Sequence, residues 1–463
     1  MNTKSFFVLG SLILTGGMSL RAQDRNVKPN FILILADDLG WTCTSTQMDD
    51  DLLTSKSDYF HTPQIERMAD NGIRFTQGYA SAPISSPTRR SIQYGQTPAR
   101  QGDINFKENY HPHDNKKLSI PQLLKEIDPE YRSAHFGKWD LRADFSPKDI
   151  GYDESDGDTG NKDGNVYADP IAKWTNFFLS DDPKKIESIT EKAENFMERQ
   201  TRSNNPFYLQ ISHYATHVDI QTKESTLYKY WKKEPGKAHG NPGFGAMLED
   251  LDTGIGKIID KVYELGIEKN TYIIFLADNG SVELIPQTSN KMRNPSEYLR
   301  PRMNYPLRGG KWTLYEGGIR VPFIVMGPSI QGGTQTKAPV AAWDLLPTIA
   351  DLAGYKGKLP DDIDGESFKK ILLNNKDTQT YSRNPLIFHR YNDHYPHSVI
   401  IKGEYKLVKL WYRDKIELYN LSEDIGEVQD VSDRFPEKAN ELYNDLISYL
   451  VKVNAEILQK YKP

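Results

Sequence analysis

The chain has 463 residues, of which 37% are hydrophobic, and this length allows a large core or two unequal domains. Its formal net charge is −5 and it has no long basic cluster, so nothing in the composition indicates nucleic-acid binding. The single cysteine, Cys43, excludes a disulfide within the chain, and we expect it to be a small buried residue.

The N-terminal segment is typical of a secretory signal. Lys4 precedes an apolar stretch from Phe6 to Leu14, and small residues then lead to Ala22, where we expect cleavage. The stretch is too short to span a bilayer, and no lipobox precedes Cys43. We therefore expect residues 1–22 to be removed and the protein to be periplasmic or secreted by a bacterium, without stable membrane association.

The first predicted strand ends in two carboxylates. Residues 29–36 form a continuous apolar run, which is typical of a strand buried on both faces of a parallel sheet. Asp37 and Asp38 follow at the carboxyl end, where open α/β sheets place their sites. The alternative is that these residues only end the strand as turn residues. A helix is predicted next, with Thr62 as N-cap, Pro63 in its first turn and Gly72 as its stop.

The run Ser85–Arg90, followed by Gly95, is the most informative stretch. Pro87 can occupy the first turn of a helix, so Ser85 is predicted at a helix N-terminus, directed at an anion. Arg89 then lies one turn on, beside Ser85. A capped surface loop is the alternative for this pattern taken alone.

A second strand repeats the arrangement of the first. An amphipathic helix with apolar residues from Met247 to Val262 leads into the strand Tyr272–Ala277, which is followed by Asp278 and Asn279. With Asp37 and Asp38, these residues supply four hard oxygen ligands, which suit calcium or magnesium better than zinc. We predict one calcium.

The C-terminal region changes character from about Leu386. Short apolar segments predict antiparallel strands, and Leu442, Leu446, Leu450 and Val453 lie on one stripe of a closing helix. The expected domains are residues 23–375 and residues 376–463.

Taken together, these features resemble the sulfatase family over nearly the whole mature chain. In that family the first position of C/S-x-P-x-R is converted to Cα-formylglycine, and here Ser85 occupies it. Further blocks match in the expected order: Thr62–Ala69, Gly137–Trp139, Leu307–Lys311, Glu316–Pro322 and Asp344–Thr348. The resemblance implies an α/β fold with a large mixed sheet flanked by helices, like that of alkaline phosphatase, and a smaller C-terminal α+β subdomain.

The resemblance also implies roles for single residues. The hydrated gem-diol made from Ser85 attacks sulfur and Arg89 steadies it, while Lys138 and Lys311 neutralise sulfate oxygens. His217, which follows the strand Phe207–Ile211, protonates the leaving-group oxygen. A serine at this position implies a serine-type sulfatase-maturating enzyme as a transient partner before export.

One position departs from the family pattern. After Gly-Lys-Trp the family usually has a histidine that acts as a base, and this chain has Asp140. An aspartate can accept the same proton, although its reference pKa is roughly 2.5 units lower. Either Asp140 takes over the role in an altered environment or another group does. His135 has the wrong spacing to replace it. His213 is expected to be a hydrogen-bonded structural histidine.

A polar and aromatic cluster in the C-terminal region is expected to set specificity. It contains His389, Arg390 and His394, groups that can contact sugar rings and hydroxyls. A polar loop without function is the alternative. With the expected export, the cluster favours a sulfated carbohydrate, such as a sulfated glycan, glycosaminoglycan or mucin-type sugar, over an aryl sulfate.

Two other functions remain open from the sequence. A phosphatase or phosphodiesterase of the same superfamily would use unmodified Ser85, but its metal sites are normally rich in histidine. A catalytically silent glycan-binding protein is the second alternative, because Asp140 replaces the usual histidine.

Overall fold

The structure is a computed structural model that describes Met1 and residues 28–102, 117–142, 146–164, 177–283, 303–374, 383–391 and 395–457. Apart from Met1, the expected signal segment, residues 1–22, lies outside the described residues. The expected domain boundary at residues 375 and 376 also lies outside them. Among the described helices, none has the length and apolar character needed to cross a membrane.

The larger domain is built around a mixed sheet of eight strands, with two additional two-stranded sheets. The strands are β1 (Asn30–Ala36), β2 (Gly72–Phe75), β3 (Gly78–Tyr79), β4 (Arg132–Gly137), β5 (Glu154–Ser155), β6 (Phe177–Leu179), β7 (Phe207–Ser212), β8 (Ile220–Thr222), β9 (Thr271–Ala277), β10 (Phe323–Met326), β11 (Thr334–Thr336) and β12 (Val340–Ala341). The order in the large sheet is β11-β2-β10-β9-β1-β7-β4-β5. Strand β10 runs antiparallel to β2 and β9, and the other neighbouring pairs are parallel.

Helices cover both faces of this sheet. They are α1 (Pro63–Asp70), α2 (Ser85–Tyr94), α3 (Pro98–Gln101), α4 (Ile120–Ile127), α5 (Asn161–Gly164), α6 (Ile186–Arg202), α7 (Glu224–Trp231), α8 (Pro242–Glu264), α9 (Glu316–Ile319), α10 (Leu345–Leu352) and α11 (Lys369–Leu373). Along β1, Ile32 and Ile34 pack into one apolar core, and Phe31, Leu33 and Leu35 pack into the other. This burial on both faces explains the continuous apolar run and confirms the predicted strand.

Helix α1 begins at Pro63 as predicted, but its capping group differs from the expected one. The Thr62 side chain makes no cap bond and instead accepts the N–H of Ser45 at 2.9 Å. The free N–H groups at the start of the helix donate to the carboxylate of Asp252, which lies on α8, at distances from 2.9 to 3.2 Å. Burial raises the pKa of Asp252 to about 7. The cap therefore also joins two helices.

The C-terminal subdomain is a four-stranded antiparallel sheet covered by one helix, as predicted. Its elements are β13 (Leu386–Arg390), β14 (His397–Lys402), β15 (Tyr405–Leu410), β16 (Lys415–Asn420) and α12 (Pro436–Lys452). One face packs on Leu442, Leu446 and Leu450 of α12, and the other packs on the larger domain around Trp343. The large mixed sheet and this smaller α+β unit confirm the predicted fold.

A buried ionic cluster joins the two domains next to α9. Nζ of Lys406 on β15 lies 2.9 Å from Oε1 of Glu316 and 2.8 Å from Oε1 of Glu427, and all three side chains are fully buried. Arg320 also pairs with Glu316, at 2.5 Å. Burial raises the pKa of Glu316, but Lys406 and Arg320 bring it down to about 2. The cluster holds the segment that leads from Lys311 to α9 against the C-terminal sheet.

His239 joins segments that are distant in the sequence. Its Nδ1 lies 3.1 Å from Oγ of Ser57 and 3.6 Å from Oδ1 of Asp58, and its Nε2 lies 3.0 Å from the carbonyl oxygen of Met303. Burial lowers the pKa of His239, but the hydrogen bonds to Asp58 and Cys43 raise it to about 9. Cys43 is buried, as predicted.

Candidate active site

Four oxygen-bearing side chains meet at the carboxyl ends of strands β1 and β9. Asp37 and Asp38 follow β1, and Asp278 and Asn279 follow β9, which pairs with β1 in register. The Asp38 N–H donates to Oδ1 of Asp278 at 3.1 Å, and Nδ2 of Asn279 donates to Oδ1 of Asp38 at 2.7 Å. All four residues are buried. The structure therefore brings together the side chains that the sequence identified as candidate metal ligands.

Ser85 begins helix α2 beside these carboxylates. The helix runs from Ser85 to Tyr94 and is followed by Gly95 in the left-handed conformation, with φ 64°. Oγ of Ser85 donates to Oδ1 of Asp37 at 3.2 Å and lies 3.4 Å from Oδ1 of Asn279. The N–H groups of the first helical turn have no partner within the helix, so a nucleophile here is also next to the positive end of the helix.

Arg89 connects Ser85's helix to both strand ends. It is buried, and its Nε donates to Oδ2 of Asp278 at 2.9 Å. Its Nη2 lies 3.4 Å from Oδ2 of Asp37, and its Nη1 donates to the carbonyl oxygen of Lys138 at 2.6 Å. Burial lowers the pKa of Arg89, but Asp278 and Asp37 raise it above its usual value. The residue is therefore a fixed cation behind the nucleophile.

Two lysines approach the same carboxylates from separate segments. Nζ of Lys138 lies 2.5 Å from Oδ2 of Asp37 and 3.3 Å from Oγ of Ser85, and Nζ of Lys311 lies 2.7 Å from Oδ2 of Asp38. Burial raises the pKa of Asp37, but Lys138 and the other nearby cations hold it well below its usual range. Asp37 is therefore ionised and is held between Ser85 and Lys138.

Lys138 directly follows strand β4, and its position depends on the preceding residue, Gly137. Gly137 has φ 94°, and a Cβ at this position would lie 2.0 Å from the carbonyl oxygen of Ser212. The same carbonyl accepts the N–H of Lys138 at 2.7 Å. The Gly-Lys pair therefore lets the chain leave the sheet close to β7, with the lysine directed at Asp37.

The four oxygen ligands fit a hard divalent cation. Burial, with the negative charge of Asp37, raises the pKa of Asp278 to about 6, and burial also raises the pKa of Asp38. A divalent cation among these carboxylates would offset both effects. Asp37, Asp38 and His217 also form a group whose possible ligand atoms lie within 4.8 Å of one another. Ligands with mostly oxygen donors suit calcium or magnesium, so calcium remains the prediction.

The two histidines after strand β7 differ in their surroundings. His217 lies beside the proposed metal ligands, and His213 lacks, within the described part of the chain, the hydrogen bonds that were expected for it. Nε2 of His217 is 3.7 Å from Oδ2 of Asp38, and its Nδ1 contacts the carbonyl oxygen of Val218. Burial, followed by the charge of Lys311, holds the pKa of His217 well below its usual value. His213 is buried, but neither of its ring nitrogens has a hydrogen-bond partner among the described residues. The hydrogen bonding predicted for His213 is therefore wrong.

Asp140 lies beside the lysine that contacts Ser85. Its Oδ2 is 3.5 Å from Nζ of Lys138, and its Oδ1 is 3.5 Å from Nε of Arg142. The Asp140 side chain is 10% exposed, so solvent or substrate can reach it. His135 instead lies within the sheet, where its Nε2 is 3.1 Å from Oγ of Ser212, and burial lowers its pKa to about 3.

Two residues of the C-terminal cluster, His389 and Arg390, are arranged differently from the prediction. His389 is buried, and its two ring nitrogens bond to Oγ of Ser398 and the carbonyl oxygen of Glu456, so no ring nitrogen is available to a sugar. Arg390 is also buried, and its Nη1 donates to the carbonyl oxygen of Trp312. The structure therefore corrects the prediction that His389 contacts substrate directly. Arg390 instead contacts Trp312, the residue that follows Lys311.

His397 supports the same segment, and His394 lies outside the described residues. Nε2 of His397 accepts the N–H of Leu314 at 2.7 Å, and its Nδ1 lies 2.8 Å from the carbonyl oxygen of Tyr395. Burial lowers the pKa of His397 to about 3, which keeps Nε2 free to accept. The C-terminal sheet therefore fixes the backbone that carries Lys311.

Two further residues lie at the site but were not among the candidates identified from the sequence. Lys184 is fully buried, and burial lowers its pKa to about 7, while Asp219 and Asp37 act in the opposite direction. An isolated lysine in a polar stretch is normally a surface residue, so the sequence did not identify it. Trp312 follows Lys311 directly, and this adjacency is the sequence signal that could have identified it.

Comparisons with known proteins agree with this geometry. The family model described as Sulfatase matches residues 29–355, and the model described as N-sulphoglucosamine sulphohydrolase, C-terminal, matches residues 310–456. A protein named "Sulfatase" from Formosa agariphila is 28% identical, with 94% of this chain and 90% of that protein covered. The N-acetylgalactosamine-6-sulfatase of Mus musculus is 27% identical, with 91% of this chain and 79% of that protein covered.

Solved structures show the same fold. A protein crystallised with its substrate D-glucosamine-2-N,6-O-disulfate superposes with a TM-score of 0.69 at 19% identity, covering 92% of this chain and 98% of that chain. The first family model alone spans more than half of the chain, and the matched range includes Ser85, Lys138, His217 and Lys311. The chain therefore belongs to the sulfatase family and is a sulfuric ester hydrolase.

Proposed function

We propose that the protein hydrolyses O-sulfate esters of a carbohydrate, with a Cα-formylglycine made from Ser85 as the nucleophile and one bound calcium. The observation that carries the proposal is the position of Oγ of Ser85, 3.2 Å from Oδ1 of Asp37 and 3.3 Å from Nζ of Lys138. The names of the relatives, which include N-acetylgalactosamine-6-sulfatases, support a sugar sulfate as the substrate class.

Asp37, Asp38, Asp278 and Asn279 would hold the calcium, and the Ser85 position would hold the formylglycine. With Ser85 converted and calcium bound, the hydrated aldehyde would supply two hydroxyl groups and the metal would supply positive charge next to them. Among the described residues, each of the three proposed carboxylate ligands pairs with one cation: Asp278 with Arg89, Asp37 with Lys138 and Asp38 with Lys311. A divalent cation would add positive charge to these paired groups, which favours an anionic sulfate ester.

Lys138 and Lys311 bind the sulfate oxygens in this proposal. Each ammonium is a compact charge, and each is already fixed by one carboxylate, Asp37 or Asp38. Because they come from separate segments and pair with different carboxylates, they can hold a sulfate group between them and stabilise charge that develops on its oxygens. Arg89 lies behind Ser85 and holds the first turn of α2 against both strand ends.

His217 and Asp140 move protons in this proposal. His217 protonates the leaving sugar oxygen; the negative charge of a bound sulfate ester raises its pKa towards the range where it carries that proton. Asp140 would accept the proton of the second hydroxyl group as that group expels sulfate, in the place of the usual histidine. The Asp140 carboxylate lies 3.5 Å from Nζ of Lys138, and that Nζ lies 3.3 Å from Oγ of Ser85.

Because Ser85 must be converted to formylglycine, the proposal includes a maturation step. We propose that a serine-type maturating enzyme oxidises Ser85 before the chain is exported to the periplasm or the exterior of a bacterial cell. The N-terminal signal pattern and the bacterial relative support export.

The proposal can be tested by measuring sulfate release. Protein produced with the maturating enzyme is exchanged into calcium or zinc and given a panel of sulfated mono- and oligosaccharides, and free sulfate is measured by ion chromatography. We expect calcium-dependent release from at least one sugar, and its loss in Asp278→Ala. Full activity with stoichiometric zinc, or normal activity in Asp278→Ala, would contradict the metal assignment. Phosphate ester hydrolysis by unmodified protein would favour a phosphatase.

A further inference from the structure

Trp312 is a large aromatic side chain that remains 42% exposed next to the sulfate pocket. The centre of its ring lies 5.6 Å from Nζ of Lys311, and that Nζ lies 2.7 Å from Oδ2 of Asp38. The Trp312 ring is therefore next to the Lys311 ammonium group, which is expected to bind sulfate. The proposed proton transfers and sulfate contacts do not use it.

The backbone of Trp312 has a conformation that bulky residues rarely adopt. Its φ is 78°, in the left-handed region that favours glycine. Its N–H donates to the carbonyl oxygen of Pro83 at 2.8 Å, and its own carbonyl accepts from the buried Arg390. Such a conformation persists only where the surroundings fix it, and it is common at ligand sites. Pro83 is two residues from Ser85, so the fixed tryptophan is tied directly to the nucleophile's segment.

We infer that Trp312 is the surface on which the sugar ring carrying the sulfate stacks. The inference rests on the proposed carbohydrate specificity. A sulfate held between Lys138 and Lys311 would bring its sugar ring close to Lys311, and the centre of the Trp312 ring lies 5.6 Å from Nζ of that lysine. An indole offers a wide apolar face at a small entropic cost, and a pyranose ring offers C–H groups on its face.

Arg390 is a positioning residue in this arrangement. Burial lowers the pKa of the Arg390 guanidinium to about 10, and its Nη1 donates to the carbonyl oxygen of Trp312. It therefore acts on the sugar through the indole. The C-terminal subdomain would thus contribute to specificity, as the sequence predicted, but by fixing a side chain of the larger domain.

The test separates binding of the sugar from binding of sulfate. Unmodified wild-type protein, Trp312→Gly and Trp312→Phe are titrated by calorimetry, in calcium, with a panel of sulfated monosaccharides and with inorganic sulfate. Glycine removes the ring and also relieves the left-handed backbone, so this variant should fold. Trp231→Ala is the matched control, because Trp231 is similarly exposed, at 41%, but lies on α7.

We expect Trp312→Gly to weaken binding of the best sugar sulfate at least tenfold and to change inorganic sulfate binding less than twofold. Trp312→Phe should recover most of the loss, and Trp231→Ala should behave as wild type. Equal losses for sugar and inorganic sulfate, or no loss for either, in a folded Trp312→Gly protein would overturn the inference. If wild-type protein binds inorganic sulfate but no sugar sulfate, the carbohydrate proposal itself fails.

Discussion

Replacing Asp140 by asparagine should slow sulfate release by more than tenfold. Oδ2 of Asp140 lies 3.5 Å from Nζ of Lys138, which lies 3.3 Å from Oγ of Ser85. A carboxylate at this place can take a proton, and an amide of the same shape cannot. Because general acid–base catalysis contributes about 10²–10⁴-fold, a tenfold loss is a lower bound, equivalent to about 1.4 kcal/mol of transition-state stabilisation.

The expected loss is in turnover and not in binding. Lys138 and Lys311 keep their partners Asp37 and Asp38 in the variant, so sulfate recognition should remain. The Asp140→His variant should retain some activity, with the acidic limb of its pH profile moved upward, because the reference pKa of histidine is roughly 2.5 units above that of aspartate.

The assay measures kcat and KM for a sulfated sugar between about pH 4.5 and 9, with matured enzyme. Asp153→Asn serves as the control, because Asp153 pairs with Lys125 at the other end of strand β4. Normal turnover in Asp140→Asn would remove this residue from the mechanism. An unchanged acidic limb in Asp140→His would refute its role as the base.

Three further predictions concern the residues that support the site. Lys406→Met leaves two buried glutamates without their shared cation, so it should lower the free energy of unfolding by about 3–5 kcal/mol in urea titrations; a change below 1 kcal/mol would contradict the cluster's importance. His397→Phe removes an acceptor near Lys311, so it should weaken inorganic sulfate binding in calorimetry, whereas His397→Gln should restore part of it. The pKa of His239 is raised from about 6.5 to about 9 on folding, so its stabilising effect is complete below pH 6.5 and is lost as pH rises through about 9. The stability difference between wild type and His239→Gln should therefore be smaller at pH 9.5 than at pH 6, and a constant difference would be evidence against the charged pair.

Much of the fold could be predicted because its strands have a simple pattern. The apolar runs before Asp37 and Asp278 have no alternation, so they indicated central strands whose carboxyl ends meet. The Ser-x-Pro-x-Arg run predicted the start of α2 at Ser85, since proline favours the first helical turn.

Contacts between distant segments could not be predicted in the same way. Asp252 caps α1 from a helix nearly two hundred residues away, while the local pattern pointed to Thr62. The polar cluster around His389 resembled a sugar-binding loop, yet its strand turns the histidine into the subdomain. The left-handed backbone of Trp312 depends on partners from two other segments, Pro83 and Arg390.

The most direct test of the central claim is the mass of the peptide that contains Ser85, measured together with activity. An unmodified serine has one hydroxyl group and would leave a stable sulfate ester, whereas a hydrated aldehyde has a second hydroxyl group that can expel sulfate. We predict that protein made without a maturating enzyme carries plain Ser85 and is inactive. Co-expression with that enzyme should lower the peptide mass by about two daltons, the two hydrogens lost on oxidation of an alcohol to an aldehyde, and should bring sulfated-sugar hydrolysis with it. High activity in protein whose Ser85 is shown to be unmodified would contradict the account.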